Sequence, residues 1–212
     1  MNENLKKSIM LRLGSVAEAL RKNQMEAYVV ESKEELQSKI AGLIDKNQTV
    51  YSGGSETLKE AGIIDMLTNE GYDYYFRGRC DDDGNPLDVL RDAFYGDWFL
   101  TGTNAITLDG ELYNVDGNGN RVAALTFGPK NVIVVAGYNK VVKDVVEAVE
   151  RVRAIAAPAN CIRLEKNTSC RVKGHCADCR SEDRICCAYT LHSFQRVPGR
   201  IKVFLLPEEL GY

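Results

Sequence analysis

The stretch FLTGTNAITLDGELYNVDGNGNRVAALTFGPKNVIVV, Phe99 to Val135, decides the fold. Trp98, Phe99 and Leu100 form an apolar run that reads as a strand end. A short polar hairpin follows, turning at Asp109-Gly110, because Asp and Gly tolerate the positive φ of a tight hairpin. Asn114-Val115-Asp116-Gly117-Asn118-Gly119-Asn120-Arg121 comes next, then the small apolar residues Val122, Ala123, Ala124 and Leu125. Glycines beside asparagines leave backbone N–H groups exposed and let a ligand approach the chain. A helix starting near Asn120 would add unpaired N–H groups and a positive dipole end, which is how proteins build anion sites. The alternative is a decorated turn that binds nothing.

Working outward toward the N-terminus, Leu5, Ile9, Leu13, Val16 and Leu20 recur at helical spacing over residues 2–23. Glu26 to Val30 reads as a strand. Ser32 and Glu35 make a capping-box pattern before a helix with Leu36, Ile40, Leu43 and Ile44 on one face. Thr49-Val50-Tyr51 is a second strand, ending in Ser52-Gly53-Gly54-Ser55, and a helix over 56–71 follows. Strand, glycine turn and helix present backbone amides at a strand's C-terminal end, where open α/β sheets bind ligands. Residues 72–76 form a third strand. The loop 77–86 carries Asp81, Asp82 and Asp83, either a hard-cation site or a solvated turn, and 87–95 is helical.

On the other side, Val132 to Ala136 is β-branched without polar alternation, as a strand buried on both faces would be. The spacing predicts a helix over 141–157, with Val142, Val145, Val146, Val149 and Val152 inward and Pro158 as its end. After a cysteine-rich segment, 159–200, the chain returns to a strand at Ile201 to Leu206. Repeated strand–helix alternation argues an α/β fold, a mainly parallel sheet with helices on both faces, in one domain over 1–212.

A chain of 212 residues can bury one sizeable core. Its net charge of -3 argues mildly against nucleic acid as the main partner. No apolar run reaches the roughly 18 residues a membrane helix needs, and the charged N-terminus lacks a signal-peptide core. The expectation is a cytoplasmic protein without membrane association; its oligomeric state stays open.

Five of the seven cysteines lie between Cys170 and Cys187. Their spacing is Cys170-x5-Cys176-x2-Cys179-x6-Cys186, with Cys187 adjacent. In a cytosolic chain such a cluster points to a metal centre. The residues between are polar and cannot order themselves by burial. Four thiolates would hold either zinc or a four-iron cluster, or the thiols are simply free. His175 is a possible extra ligand; Cys80 and Cys161 read as packing residues. Residues 163–200 carry eight Lys or Arg against four Asp or Glu, which suits an anionic ligand or an acidic partner. A zinc knuckle for nucleic acid ranks lower, because no aromatic residue falls between Cys170 and Cys187 to stack bases.

Gly53-Gly54-Ser55, the run Thr101 to Gly137, Asn139-Lys140, Ala156-Ala157-Pro158, the cysteine run with Arg184-Ile185-Cys186, and Glu208-Glu209-Leu210-Gly211-Tyr212 together resemble the LUD-domain family of the lactate-utilisation protein C type. The resemblance implies a fold like ribose-5-phosphate isomerase and the CoA transferases. It also implies a link to oxidation of lactate to pyruvate, beside iron–sulfur subunits. Not every member carries the cysteine run. Where the related isomerases have an acidic pair, this chain has Thr103 and Asn104, which cannot abstract a carbon-bound proton. The phosphate-loop equivalent is Asp116 to Arg121. Arg121 could fork onto a carboxylate or phosphate, and Asp116 or Glu111 could act as a base.

The candidate set follows. Asp116 and Arg121 are catalytic. Gly53, Gly54, Ser55, Thr103 and Asn104 bind a small anionic metabolite from the sheet side, and Asn114, Gly117, Asn118, Gly119 and Asn120 from the turn. Cys170, Cys176, Cys179 and Cys186 hold an iron–sulfur cluster or zinc. Lys140 could reach an anion but reads first as a solvated helix-start lysine, and His192 as part of a strand. Alternatives are a sugar-phosphate or acyl-CoA enzyme with structural zinc, and a zinc-stabilised interaction module.

Overall fold

The chain is described by a computed structural model over residues 2–81 and 83–212; Asp82 of the acidic loop lies outside the described residues. α1 (Glu3–Lys22) opens the chain, its first amides capped by the Asn2 side chain. Ile9, Leu13, Val16 and Leu20 are buried, whereas Leu5 is exposed, one turn short of the core. β1 (Glu26–Val29) leads to α2 (Lys33–Ala41), capped by Ser32. The Glu35 carboxylate reaches back to the amide of Glu31, one residue beyond the partner a capping box uses.

β2 (Thr49–Ser52) is followed by α3 (Glu56–Glu60) and α4 (Ile63–Asn69). The single helix expected over 56–71 is broken at Gly62, whose φ of 72° no helix accommodates. β3 (Asp73–Tyr75), a single turn α5 (Val89–Asp92) and β4 (Trp98–Gly102) come next. Then follow β5 (Ala105–Thr107), β6 (Leu112–Asp116), α6 (Asn120–Phe127) and β7 (Asn131–Gly137). A 3-10 turn, Tyr138–Lys140, precedes β8 (Val141–Val142).

The next helix corrects the sequence reading. α7 (Val145–Arg151) does not stop at Pro158 but runs through a π turn, Val152–Ala156, into α8 (Ala157–Arg163). Proline lacks an N–H and its ring collides with the carbonyl four residues back. Here Ala157 donates to Val152, five residues back. The widened turn sets Pro158 in the first turn of α8, where no N–H is required. Val142 and Val152 are buried as expected, whereas Val146 is exposed and Ala148 faces inward in its place. α9 (Ser169–Lys173), β9 (Ala188–His192) and β10 (Ile201–Leu206) complete the chain.

Six strands form a sheet in the order β1-β10-β7-β4-β2-β3, every pairing parallel. The strand alternation divides the core. Val132 and Val134 pack with Leu13, Leu20, Phe99, Val203 and Leu205 under α1. Ile133 and Val135 pack with Leu36, Leu58, Leu67 and Phe204 under α2, α3 and α4. The α/β expectation holds as a six-stranded parallel sheet flanked by helices.

A second sheet, β8-β5-β6-β9, was not legible in the sequence. Its hairpin turns at Asp109-Gly110 as expected, but its strands are buried rather than polar. β9 returns from the cysteine segment to pair antiparallel with β6. Ala105, Tyr113 and Val115 then pack against Ala148, Val152 and Ala157. This small sheet carries the glycine–asparagine turn to the C-terminal ends of β2 and β4.

Candidate functional site: a cationic cleft beside a thiol crevice

A cleft of about 590 Å³ opens at those strand ends. Gly54 and Ser55 after β2, Thr103 and Asn104 after β4, and Asp116, Gly117, Asn118, Asn120 and Arg121 of the turn all line it. Gly53 does not; its Cα packs against the Arg121 side chain, whose Cγ and Cδ a Cβ would meet at 3.4 Å. Asn114 lies beneath the surface, and Gly119 supplies the left-handed residue before α6.

Arg121 is engaged internally. Its Nη1 donates to Asn114 Oδ1 at 2.6 Å and to the Gly102 carbonyl at 3.3 Å. Its Nη2 donates to Asn104 Oδ1 and to the Val115 carbonyl, both at 2.9 Å. The guanidinium thus ties β4, β6 and the turn together, and forks onto the chain's own oxygens. Asp116 accepts from the amides of Arg121 at 3.1 Å and Val122 at 3.2 Å. The chain's own carboxylate therefore caps the helix start that the sequence offers to an anion. Among the described residues the amides of Gly117 and Asn118 have no protein acceptor, and both residues line the cleft.

Lys140 corrects the reading as a solvated lysine. It is 3% exposed and lines the cleft floor, its Nζ donating to Thr57 Oγ1 at 2.7 Å. Burial, with Arg151 and Arg121 nearby, brings its pKa down to about 7. Arg151 is 7% exposed and is pinned by the carbonyls of Asn139 at 2.9 Å and Asn104 at 2.7 Å. Two buried cations, Lys140 and Arg151, and the largely buried Arg121 thus gather under the cleft. Among the described residues the one carboxylate paired with them is Asp116, whose Oδ2 lies 3.8 Å from Arg121 Nε. At the rim, Arg163 pairs with Glu56, and Lys166 with Asp183. Sequence reasoning missed Thr57 and Arg151, and ranked the reach of Lys140 toward an anion below a solvated role. Ala156-Ala157-Pro158 concealed Asn160 and Arg163, because the helix was taken to end there.

Against one wall of the cleft lies a small crevice lined by Cys161, Cys170, Cys176, Cys179 and Cys186. Cys161 therefore does more than pack the core; the helix running through Pro158 delivers it to the other thiols. The Asp178 amide donates to Cys176 Sγ at 3.3 Å, within the Cys176-x2-Cys179 turn. Burial and the neighbouring thiols push Cys186 up to about 12, and burial brings Cys161 to about 11. Among the described residues, no three His, Cys, Asp or Glu side chains stand where they could hold one metal ion. His175 is exposed and turned onto the Lys173 carbonyl, and Cys80 is exposed elsewhere. Arg184 and Ile185 line both the crevice and the cleft. Arg184 holds the crevice rim, donating to the carbonyls of Cys179 at 2.7 Å and Cys186 at 2.8 Å.

These features define an α/β protein with a ligand-sized cleft at the strand ends of a parallel sheet. The chain belongs to the LUD-domain family, whose model matches residues 13–206. That membership is consistent with the lactate-utilisation group. The fold is similar to the crystal structure of a DUF162 family protein from Deinococcus radiodurans, with 17% sequence identity and a TM-score of 0.53. The similarity covers 95% of this chain and 98% of that one. No curated protein matches the chain. Among the described residues no helix is long and apolar enough to cross a membrane.

Proposed function

We propose that this LUD-domain protein binds a small anionic metabolite, a carboxylate or a phosphate, in the cleft, and that it serves oxidation of lactate to pyruvate beside iron–sulfur redox subunits. One observation carries the reading: buried Lys140 and Arg151 and the largely buried Arg121 lie together, and among the described residues the one carboxylate paired with them is Asp116. Buried charge left uncompensated is costly, and a bound anion would offset it. The unpaired amides of Gly117 and Asn118 supply donors of matching sign. Ser55, Thr103, Asn104, Asn118 and Asn120 offer neutral polar groups around the same space. Arg121 and Asp116 position the turn, and the fold family to which this cleft would belong is that of ribose-5-phosphate isomerase and the CoA transferases.

The test is thermal unfolding of the full chain with lactate, pyruvate or inorganic phosphate. A ligand at 100 times its Kd should add about 2.7 kcal/mol of stability. Midpoints unmoved by every carboxylate and phosphate tried would remove the reading.

A second reading concerns the thiols. Cys170, Cys176, Cys179 and Cys186 would hold an iron–sulfur cluster, with zinc as the alternative. The convergence of these residues on one crevice and the amide donated to Cys176 support it. The side chains would have to draw together to reach ligand distances. Elemental analysis with a visible spectrum on protein kept free of oxygen decides between the two. Iron with inorganic sulfide supports the cluster, stoichiometric zinc supports the structural alternative, and neither metal dismisses both.

A further inference from the structure

Lys140 has no part in holding the fold's strands together, and the sequence reading gave it none. It is nonetheless the most unusual group in the cleft. Its amine sits at the floor of an open, ligand-sized space. It makes one hydrogen bond, to the hydroxyl of Thr57, and no ion pair among the described residues. Thr57 in turn donates to the Leu210 carbonyl at 3.3 Å, so the hydroxyl that holds the amine is itself fixed.

The charged groups around it come from three elements. Arg121 of α6 and Arg151 of α7 disfavour its protonation, and Glu60 at the end of α3 favours it. Both guanidiniums are held in place by protein oxygens, and the Glu60 carboxylate is engaged by the Gly211 amide at 2.7 Å. The same cations that favour a bound anion leave part of the Lys140 amine neutral, which is the form that attacks a carbonyl.

We propose that Lys140 is a nucleophile, and that the ligand class of the cleft is a small carboxylate bearing an aldehyde or ketone. The proposal rests on the reading that the cleft binds a small anion. The nitrogen lone pair adds to the carbonyl carbon, and an N–H proton passes to the carbonyl oxygen. The resulting hydroxyl then leaves as water as the C–O bond breaks and the second N–H proton is given up, which leaves a C=N bond to Lys140. The step is reversible and needs no oxidant. The carboxylate is held by the amides of Gly117 and Asn118 and by the positive charge of Arg121 and Arg151.

The test is reductive trapping. The full chain is incubated with pyruvate or glyoxylate and cyanoborohydride at pH 7, and the adducts are located by peptide mass spectrometry. An ordinary lysine has on the order of one amine in a thousand neutral at pH 7. Lys140 should therefore label at least tenfold faster than any other lysine, and lactate, which has no carbonyl, should slow the labelling by competition. Lys140→Met should lose the adduct, with its circular dichroism compared with the parent's. Should that variant fail to fold, protection of Lys140 by lactate in the unaltered chain makes the same point. Labelling spread evenly over surface lysines would overturn the proposal. If pyruvate raises the unfolding midpoint yet no adduct forms at Lys140, the nucleophile is refuted and the anion site stands. If pyruvate neither raises the midpoint nor reacts, both fail.

Discussion

The backbone amide of Cys187 donates to the carbonyl of Asp116 at 2.9 Å. The cysteine segment is thereby stitched to the turn that walls the cleft, and Gly117 lies close against Ile185 at the same seam. The carboxylate of Asp116 faces the other way, onto α6. Asp116→Asn would keep the backbone link and lose the charged cap. It should cost about 0.3–1 kcal/mol in denaturant unfolding, the worth of a negative charge at a helix start. It should also tighten binding of any anion, because it removes the carboxylate that offsets Arg121. Weaker anion binding in this variant would contradict the cationic reading of the cleft.

Arg121→Lys tests what the guanidinium does. A lysine cannot reach four oxygens on three elements at once. Asn104, the buried Asn114 and the Val115 carbonyl would lose their donor. The expected loss is about 3 kcal/mol, close to that of Arg121→Ala, measured by denaturant unfolding. A lysine variant as stable as the parent would mean that the network is dispensable.

Two glycines with positive φ should behave differently. A Cβ on Gly110 would lie 2.5 Å from the amide nitrogen of Leu20, against the backbone at the end of α1. A Cβ on Gly119 meets nothing within 4 Å. Gly119→Ala should cost about 1 kcal/mol, for left-handed strain alone. Gly110→Ala should cost about 2–4 kcal/mol, because strain and overlap add. Paired unfolding curves check the order.

Lys140 predicts a pH signature. Its folded pKa, about 7, lies below its ordinary value of 10.5. Below pH 7 both folded and unfolded chains hold the proton and the burial penalty is full. Above pH 7 the folded chain sheds it first, so the unfolded chain binds more protons and stability rises with pH up to about 10.5. Lys140→Met should flatten that rise between pH 7 and 9, read from urea midpoints. Equal slopes in parent and variant would show that the ammonium survives burial.

The thiols should sort by exposure. Cys80 and Cys187 are exposed, whereas Cys161 and Cys170 are buried and burial raises the Cys161 pKa. Mass spectrometry after brief iodoacetamide treatment should find the first two labelled and the last two spared. Early labelling of Cys161 would mean that the crevice opens readily.

The long-period signals were legible in the sequence and the short ones were not. α1, the buried run of β7 and the strand at β10 follow from residue spacing, because burial on one face or both leaves a pattern many residues long. The second sheet escaped, because β8 is two residues and β5 three, too short for alternation to register. The turn around Gly117 announced a candidate site through its composition, and it does line the cleft. Lys140 did not announce itself: its burial is decided by Thr57, Arg121 and Arg151, brought from distant parts of the chain. Proline chemistry misled at Pro158, since a local rule cannot see a widened turn upstream.

That widened turn has a consequence for how the protein could change over time. Val152–Ala156 holds one residue more than an α-helical path between the same ends would need. Closing that turn into regular α-helix while keeping its extra residue would swing everything beyond it by about 100°. Asn160 and Arg163 would leave the cleft, and Cys161 would leave the thiols, in one event, while the parallel sheet stayed whole. The two sites share one hinge pin of sequence, and a lineage that lost it would lose both together.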